Sequence, residues 1–145
     1  MAFRFPLASV LRVREGIEKR EEVALQRAQL EVARVQRRID ELTDELAAAS
    51  KAREKALEET IQANRLQSMQ AEINAALEAK QTLFSTLQTL KRQRDAQMKL
   101  YKIAHSGRQM VSDLLAQQKD AYEREQLRIQ QKQLDDIVAS RWQRS

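Results

Sequence analysis

The chain has 145 residues, a formal net charge of +5, two glycines, one proline and no cysteine. This composition excludes a disulfide scaffold and a thiolate metal site, and no segment approaches the roughly 20 apolar residues of a membrane-spanning helix. We therefore expect a soluble intracellular protein, rich in helix-forming residues, that does not insert directly into a membrane.

The first predicted element is a long helix over residues 7–57. Pro6 suits its first turn, because the N–H that proline lacks would have no partner there in any case. From residue 25 onward the apolar residues recur at alternating steps of three and four, which is typical of a coiled-coil seam. The seam consists of Leu25, Ala28, Val32, Val35, Ile39, Leu42, Leu46 and Ala49. A helix with one narrow apolar stripe needs a partner helix.

A turn is predicted at about residues 58–64, where the apolar spacing loses its phase and Asn64 suits the left-handed conformation that ends a helix. A second helix is predicted over residues 65–139, and Gly107 is the candidate position for a kink or for a break into a third helix. The predicted fold is all-α, a long antiparallel two-helix coiled-coil hairpin with a longer second helix, forming one domain over residues 1–145. The second seam is predicted to contain Met69, Ile73, Leu77, Lys80, Phe84, Leu87, Arg94, Met98, Tyr101 and His105.

A turn near residue 60 fixes which residues of the two helices lie side by side. Leu7 is expected beside Asp113, so that residues from about 114 to 139 extend past the first helix. Seam-like residues continue in this extension at Leu115, Tyr122, Ile129 and Ile137. Because an uncovered apolar stripe favours association, we expect another protein surface to cover it.

Basic residues are concentrated in the second helix. Between residues 79 and 112 seven bases stand against one acid, Asp95, and the segment includes Lys91, Arg92, Arg94, Lys99 and Lys102. Such a stretch is either a solvated helix face or a surface that attracts an acidic protein. Nucleic acid is a weaker interpretation, because aromatic residues that stack on bases are nearly absent.

Catalytic chemistry finds no support in the sequence. Two isolated glycines cannot form a phosphate-binding loop, and a single histidine, His105, cannot form a histidine metal cluster. His105 lies at a seam position, where a packed histidine is expected. We predict that the protein is not an enzyme and binds neither a cofactor nor a metal ion.

Both ends of the chain resemble a known family. Residues 3–15, FRFPLASVLRVRE, resemble the opening pattern F-x-F-x-L-x-x-(V/L)-L-x-x-R-E of the flagellar export protein FliJ family. Residues 128–138, RIQQKQLDDIV, with Ser140 and Arg141, resemble the second recurring stretch of that family. Between the two ends the likeness is one of length and helical periodicity.

The resemblance implies a non-enzymatic, stalk-like coiled coil of the bacterial flagellar type III protein export apparatus, cytoplasmic and peripheral at the inner face of the cell membrane. It implies as partners the hexameric export ATPase, the export-gate membrane protein, and export substrates or their chaperones. Candidate gate contacts near the hairpin are Leu66, Met69 and Ile73. Candidate ATPase contacts at the chain ends are Phe3, Phe5, Leu7, Leu11, Arg14, Leu115, Tyr122, Ile129, Asp135 and Asp136.

Three alternatives remain open at this point. The stalk protein of a virulence-type III secretion system belongs to the same class. A plain structural coiled-coil spacer needs only the seam, and a basic nucleic-acid-binding rod needs only the segment 79–112.

Overall fold

The computed structural model describes residues 5–59 and 61–144, which form two long α-helices packed against each other as a hairpin. Helix α1 runs over Pro6–Glu58 and helix α2 over Ala63–Arg144. The prediction of an all-α hairpin with a longer second helix is confirmed. Phe3, one of the predicted site residues, lies outside the described residues.

Both helices begin where local chemistry favours it. Pro6 is the first residue of α1, and the carbonyl of Phe5 accepts a hydrogen bond from the Ala8 N–H at 2.9 Å. Before α2, the Gln62 carbonyl accepts from the Arg65 N–H at 3.1 Å. The prediction that Asn64 adopts a left-handed conformation is wrong, because Asn64 lies inside α2 and no described residue has a positive φ.

The chain divides into two compact units. The hairpin unit comprises residues 21–100, with the turn and the helical segments beside it. The terminal unit comprises residues 1–20 and 101–145, so the two ends of the chain belong to one unit.

The core of the hairpin unit is formed by Val35, Ile39 and Leu87, each no more than 5% exposed, with Val32, Leu83 and Leu90 packed around them. All eight residues of the predicted first seam are buried or half-buried, which confirms that seam. The predicted loss of phase after Ala49 is wrong. The same spacing continues through half-buried Arg53 and buried Ala56, while Leu57 is 63% exposed.

The seam of α2 differs from the predicted one. Leu77 and Phe84 are exposed, and Ala76 and Leu83 take the inward positions. A series of inward residues of α2 keeps steps of three and four when four polar residues are counted among them. In the hairpin unit they are Leu66, Met69, Ile73, Ala76, Lys80, Leu83, Leu87, Leu90, Arg94 and Gln97, and in the terminal unit Tyr101, Ala104, Arg108, Val111 and Leu115. Outside this series Gln70, Lys91, Met98, His105, Gly107, Ser112 and Tyr122 are half-buried as well.

In the terminal unit α1 covers more of α2 than predicted. Leu115 is buried, and the Phe5 ring packs edge-on against Tyr122 with 5.9 Å between ring centroids. Phe5 precedes the first turn of α1, so its ring reaches past the start of the helix. Residues 123–144, and not 114–139, therefore extend beyond α1, and we call them the overhang.

The two glycines lie within helices without a positive φ. A Cβ at Gly16 would meet no atom within 4 Å, whereas one at Gly107 would lie 3.3 Å from the Arg14 Nη1 atom. We expect Gly16→Ala to raise the free energy of unfolding by about 1 kcal/mol, because alanine loses less conformational entropy in a helix. Gly107→Ala should raise the free energy of unfolding by a smaller amount, since the Arg14 side chain must shift. Denaturant unfolding measures both, and a loss of stability in Gly16→Ala would contradict the open surroundings of that position.

Candidate interaction surfaces

The candidate ATPase contacts converge in the terminal unit, but they do not share one surface. Leu7 and Leu11 are half-buried and Leu115 is buried, so these three side chains hold the two helices together. Phe5 and Tyr122 contact each other, and the Lys119 ammonium lies 5.6 Å from the centroid of the Phe5 ring. The exposed members are Arg14, Ile129, Asp135 and Asp136.

A polar cluster joins the helices within the terminal unit, and the sequence reasoning missed it. The Glu18 Oε2 atom accepts a hydrogen bond from Arg108 Nε at 2.8 Å and lies 3.2 Å from His105 Nδ1. The Arg108 guanidinium lowers the pKa of Glu18 below its usual value, and His105 acts in the same direction, while partial burial opposes them. Glu18 and Arg108 occupy seam positions, so a search for apolar periodicity passes over them.

This cluster makes the stability of the protein depend on pH. A carboxylate whose pKa is lowered by folding stabilises the fold above its unfolded-state pKa of about 4.3, and that contribution is lost as the pH falls through the folded-state pKa. We expect Glu18→Gln to be less stable than the parent chain at pH 7, and the difference in stability to shrink as the pH falls below about 4. Glu54→Gln, at an exposed position of α1, is the control. Thermal unfolding across this pH range measures the difference, and a difference that is constant with pH would contradict the assignment.

The overhang exposes an apolar row that was not predicted. Leu127 is 65% exposed, Leu134 57% and Val138 55%. At 3.6 residues per turn these three side chains lie on one face of α2, and the series Leu115, Tyr122 and Ile129 lies on a different face. The sequence prediction followed steps of seven from Leu115 and so continued the seam, which turns polar at Lys132 and Asp136.

The candidate gate contacts lie on the inward face of the hairpin unit. Leu66 and Met69 are half-buried, and Ile73 is 6% exposed. Ile73 is therefore covered by α1 and not available to a partner while the helices are packed. A shallow groove beside the turn gives access to the Met69 side chain. The groove is also lined by Lys55, Ala56, Ile61 and Arg65.

Several bases of the segment 79–112 have partners within the chain. Arg94 bonds to Asp95 at 3.0 Å, and the Lys80 ammonium lies 5.9 Å from the Phe84 ring centroid. Lys91 is half-buried, whereas Arg92, Lys99 and Lys102 are exposed. Among the described residues these last three form no ion pair. The free positive charge of this segment is therefore smaller than its composition indicates.

A group of metal-binding side chains and a membrane-spanning helix are both absent from residues 5–59 and 61–144. These residues contain no group of three or more His, Cys, Asp or Glu side chains placed to hold a metal ion. No helix among them is both long enough and apolar enough to span a membrane.

Comparison with known proteins identifies a family. The family described as "Flagellar FliJ protein" matches residues 3–145. No curated protein and no solved structure matches the chain. The family match covers both terminal motifs and also the segment between them, where the sequence had offered only periodicity.

Proposed function

This chain belongs to the flagellar FliJ protein family, and from that premise we propose that it acts as a stalk that binds the hexameric export ATPase and the export gate. Membership of the family implies a non-catalytic component of the flagellar export apparatus. The proposed location is the cytoplasmic face of the cell membrane. Export substrates or their chaperones are proposed as further partners.

The observation that carries this proposal is the overhang. Residues 123–144 continue α2 past the start of α1, and every one of them is exposed. A helix with an apolar row and no covering helix is unfavourable in water and favours insertion into a protein surface. The central channel of a ring-shaped ATPase is such a surface.

The charged residues of the overhang suit a ring channel that is lined by both basic and acidic groups. Asp135 and Asp136 are exposed, and Asp135 accepts a hydrogen bond from Gln131 at 3.2 Å. Carboxylates in these positions are free to meet basic groups of the ring, and Asp136 lies on the same face of α2 as Ile129. Rim charges of this kind contribute more to the rate of association than to affinity.

The proposed mechanism is mechanical and needs no reactive group on the stalk. One asymmetric helix cannot make equal contacts with six identical subunits. It therefore stabilises some subunit conformations over others, and such a bias favours ring assembly or cycling between states. The hairpin end remains outside the ring and is available to the export gate.

The test is to add the full chain to its cognate export ATPase and to measure ATP hydrolysis and hexamer formation. We expect both to increase with the concentration of the chain until the rings are saturated. The control is the buffer of the same preparation after the chain has been denatured and removed from it. An absence of stimulation at saturating concentration would reject the stalk proposal in favour of a plain structural coiled coil.

A further inference from the structure

A row of exposed apolar residues runs along α2 in the terminal unit, beside the seam. Ile103 is 70% exposed, Met110 65% and Leu114 44%, and Gly107 stands between them at the same spacing. Each of these four positions comes one residue before a seam position of α2. The row is therefore a second stripe next to the seam, and not a scatter of single apolar residues.

Helix α1 carries a matching row. Val10 is 42% exposed and Val13 64%, and Ile17 is half-buried. These residues also come one position before the residues of their own seam, which are Leu11, Arg14 and Glu18. The displacement from the seam thus has the same direction on both helices.

The two rows lie on the same side of the hairpin. In an antiparallel pair of right-handed helices, an equal displacement from the two seams points to one side of the pair. The contact between Arg14 and Gly107 agrees, because the guanidinium of Arg14 lies 3.3 Å from the position of a Cβ on Gly107. The rows together form what we call the terminal face, composed of Val10, Val13, Ile17, Ile103, Met110 and Leu114.

The opposite side of the terminal unit is polar. The residues that follow the seam positions there are Arg12, Glu15, Lys19, Lys102, His105 and Gln109. The α1 row itself turns polar at Arg20. Apolar residues gathered on one side and absent from the other mark an interaction surface more specifically than the overall composition does.

The charges of the terminal face indicate which partner it suits. Arg14 and Arg20 are exposed at the α1 edge, and neither forms an ion pair among the described residues. The α2 edge carries a single exposed carboxylate, Asp113. A second copy of this chain is a poor match, since its own terminal face would add Arg14 and Arg20 to the interface and only Asp113 as an exposed carboxylate. Carboxylates on the partner would instead complement Arg14 and Arg20.

We propose that the terminal face docks an amphipathic helix of another protein, whose apolar stripe is flanked by carboxylates, to form a local three-helix bundle. The groove between two packed helices accepts the apolar ridge of a third helix by knobs-into-holes packing. Gly107 adds no side chain to the groove, and the Arg14 guanidinium packs against it. This surface uses none of the overhang residues that the stalk proposal requires.

The probe is a labelled synthetic helical peptide with leucines at coiled-coil spacing and flanking glutamates, tested by fluorescence anisotropy against the full-length chain. A second peptide carries lysines in place of the glutamates. We expect Val13→Glu and Met110→Glu each to weaken binding of the glutamate peptide by about tenfold or more. Gln109→Glu introduces the same charge on the polar side and should leave binding unchanged. All three positions are exposed, and circular dichroism checks that each variant keeps its helical content.

The charge prediction has its own variant. Replacing Arg14 and Arg20 with glutamine should reduce the preference for the glutamate peptide over the lysine peptide. Equal binding of the two peptides by the parent chain would overturn the proposal. A loss of peptide binding in Gln109→Glu as large as that in Val13→Glu and Met110→Glu would also overturn it. Sedimentation gives another contrary result, namely a dimer of the parent chain that Val13→Glu abolishes, because the occupant would then be a second copy. None of these outcomes depends on stimulation of the ATPase.

Discussion

Leu87→Ala is expected to lower the free energy of unfolding by about 3 kcal/mol. Leu87 is 2% exposed and packs with Val35 and Ile39. Removing its side chain loses the transfer free energy of the deleted atoms and leaves a cavity between two helices. Helices that meet along one seam have few neighbouring side chains to fill such a cavity. Denaturant unfolding followed by circular dichroism measures the loss.

Leu77→Ala is the matched control, because it deletes the same atoms from a residue of α2 that is 50% exposed. Its expected cost is below about 1 kcal/mol, since much of the side chain stays in water in the folded state. The apolar periodicity of the sequence had assigned both leucines to the seam. Equal losses in the two variants would mean that α2 is rotated from the orientation described and that the sequence-based seam is correct.

The fold was predictable because helix-forming residues and a strict spacing in α1 favour the same structure. The residues from Leu25 to Ala49 repeat without a polar interruption, so the helix needs a partner. The turn lies between Glu58 and Ala63, within the predicted range, although neither a loss of phase nor a left-handed Asn64 marks it. The length of α2 beyond α1 follows from the position of the turn.

The orientation of α2 was less predictable, because its seam includes Gln97 and Arg108, which the predicted seam lacked, besides Lys80 and Arg94, which it contained. Long polar side chains tolerate half-buried positions when their stems pack and their heads find partners. Gln97 donates hydrogen bonds to the Glu21 carboxylate and to its backbone carbonyl, the latter at 3.2 Å. A search for apolar periodicity assigns Leu77 and Phe84 to the seam, and it does not find a polar pair such as Gln97 and Glu21.

The candidate sites were predictable as segments and less so as individual residues. Both family motifs lie in the terminal unit, which sequence separation alone does not show. Within those segments, exposure depends on the side of the helix, and one residue of displacement changes the direction by about 100°. Leu115 and Ile73 were therefore assigned to surfaces although they are buried, whereas Leu134 was not assigned.

Charge on the apolar row of the overhang is expected to remove most of the proposed stimulation of the ATPase. The double variant Leu127→Glu and Leu134→Glu places two carboxylates where the stalk proposal requires burial in the ring. Stimulation by this variant should fall by about tenfold or more, because burying an unpaired carboxylate is strongly unfavourable. Both residues are more than half exposed, so the hairpin itself should keep its stability.

The matched control is Gln126→Glu with Gln133→Glu, which adds the same charge to the overhang on a different face of α2. Both glutamines are exposed. The control should retain most of the stimulation if the row of Leu127, Leu134 and Val138 provides the main contact with the ring. Hydrolysis by the cognate ATPase, measured over a range of stalk concentrations, separates a loss of affinity from a loss of maximal rate. Equal losses in the two double variants would show that the overhang responds to charge alone and would remove the role assigned to the row of Leu127, Leu134 and Val138.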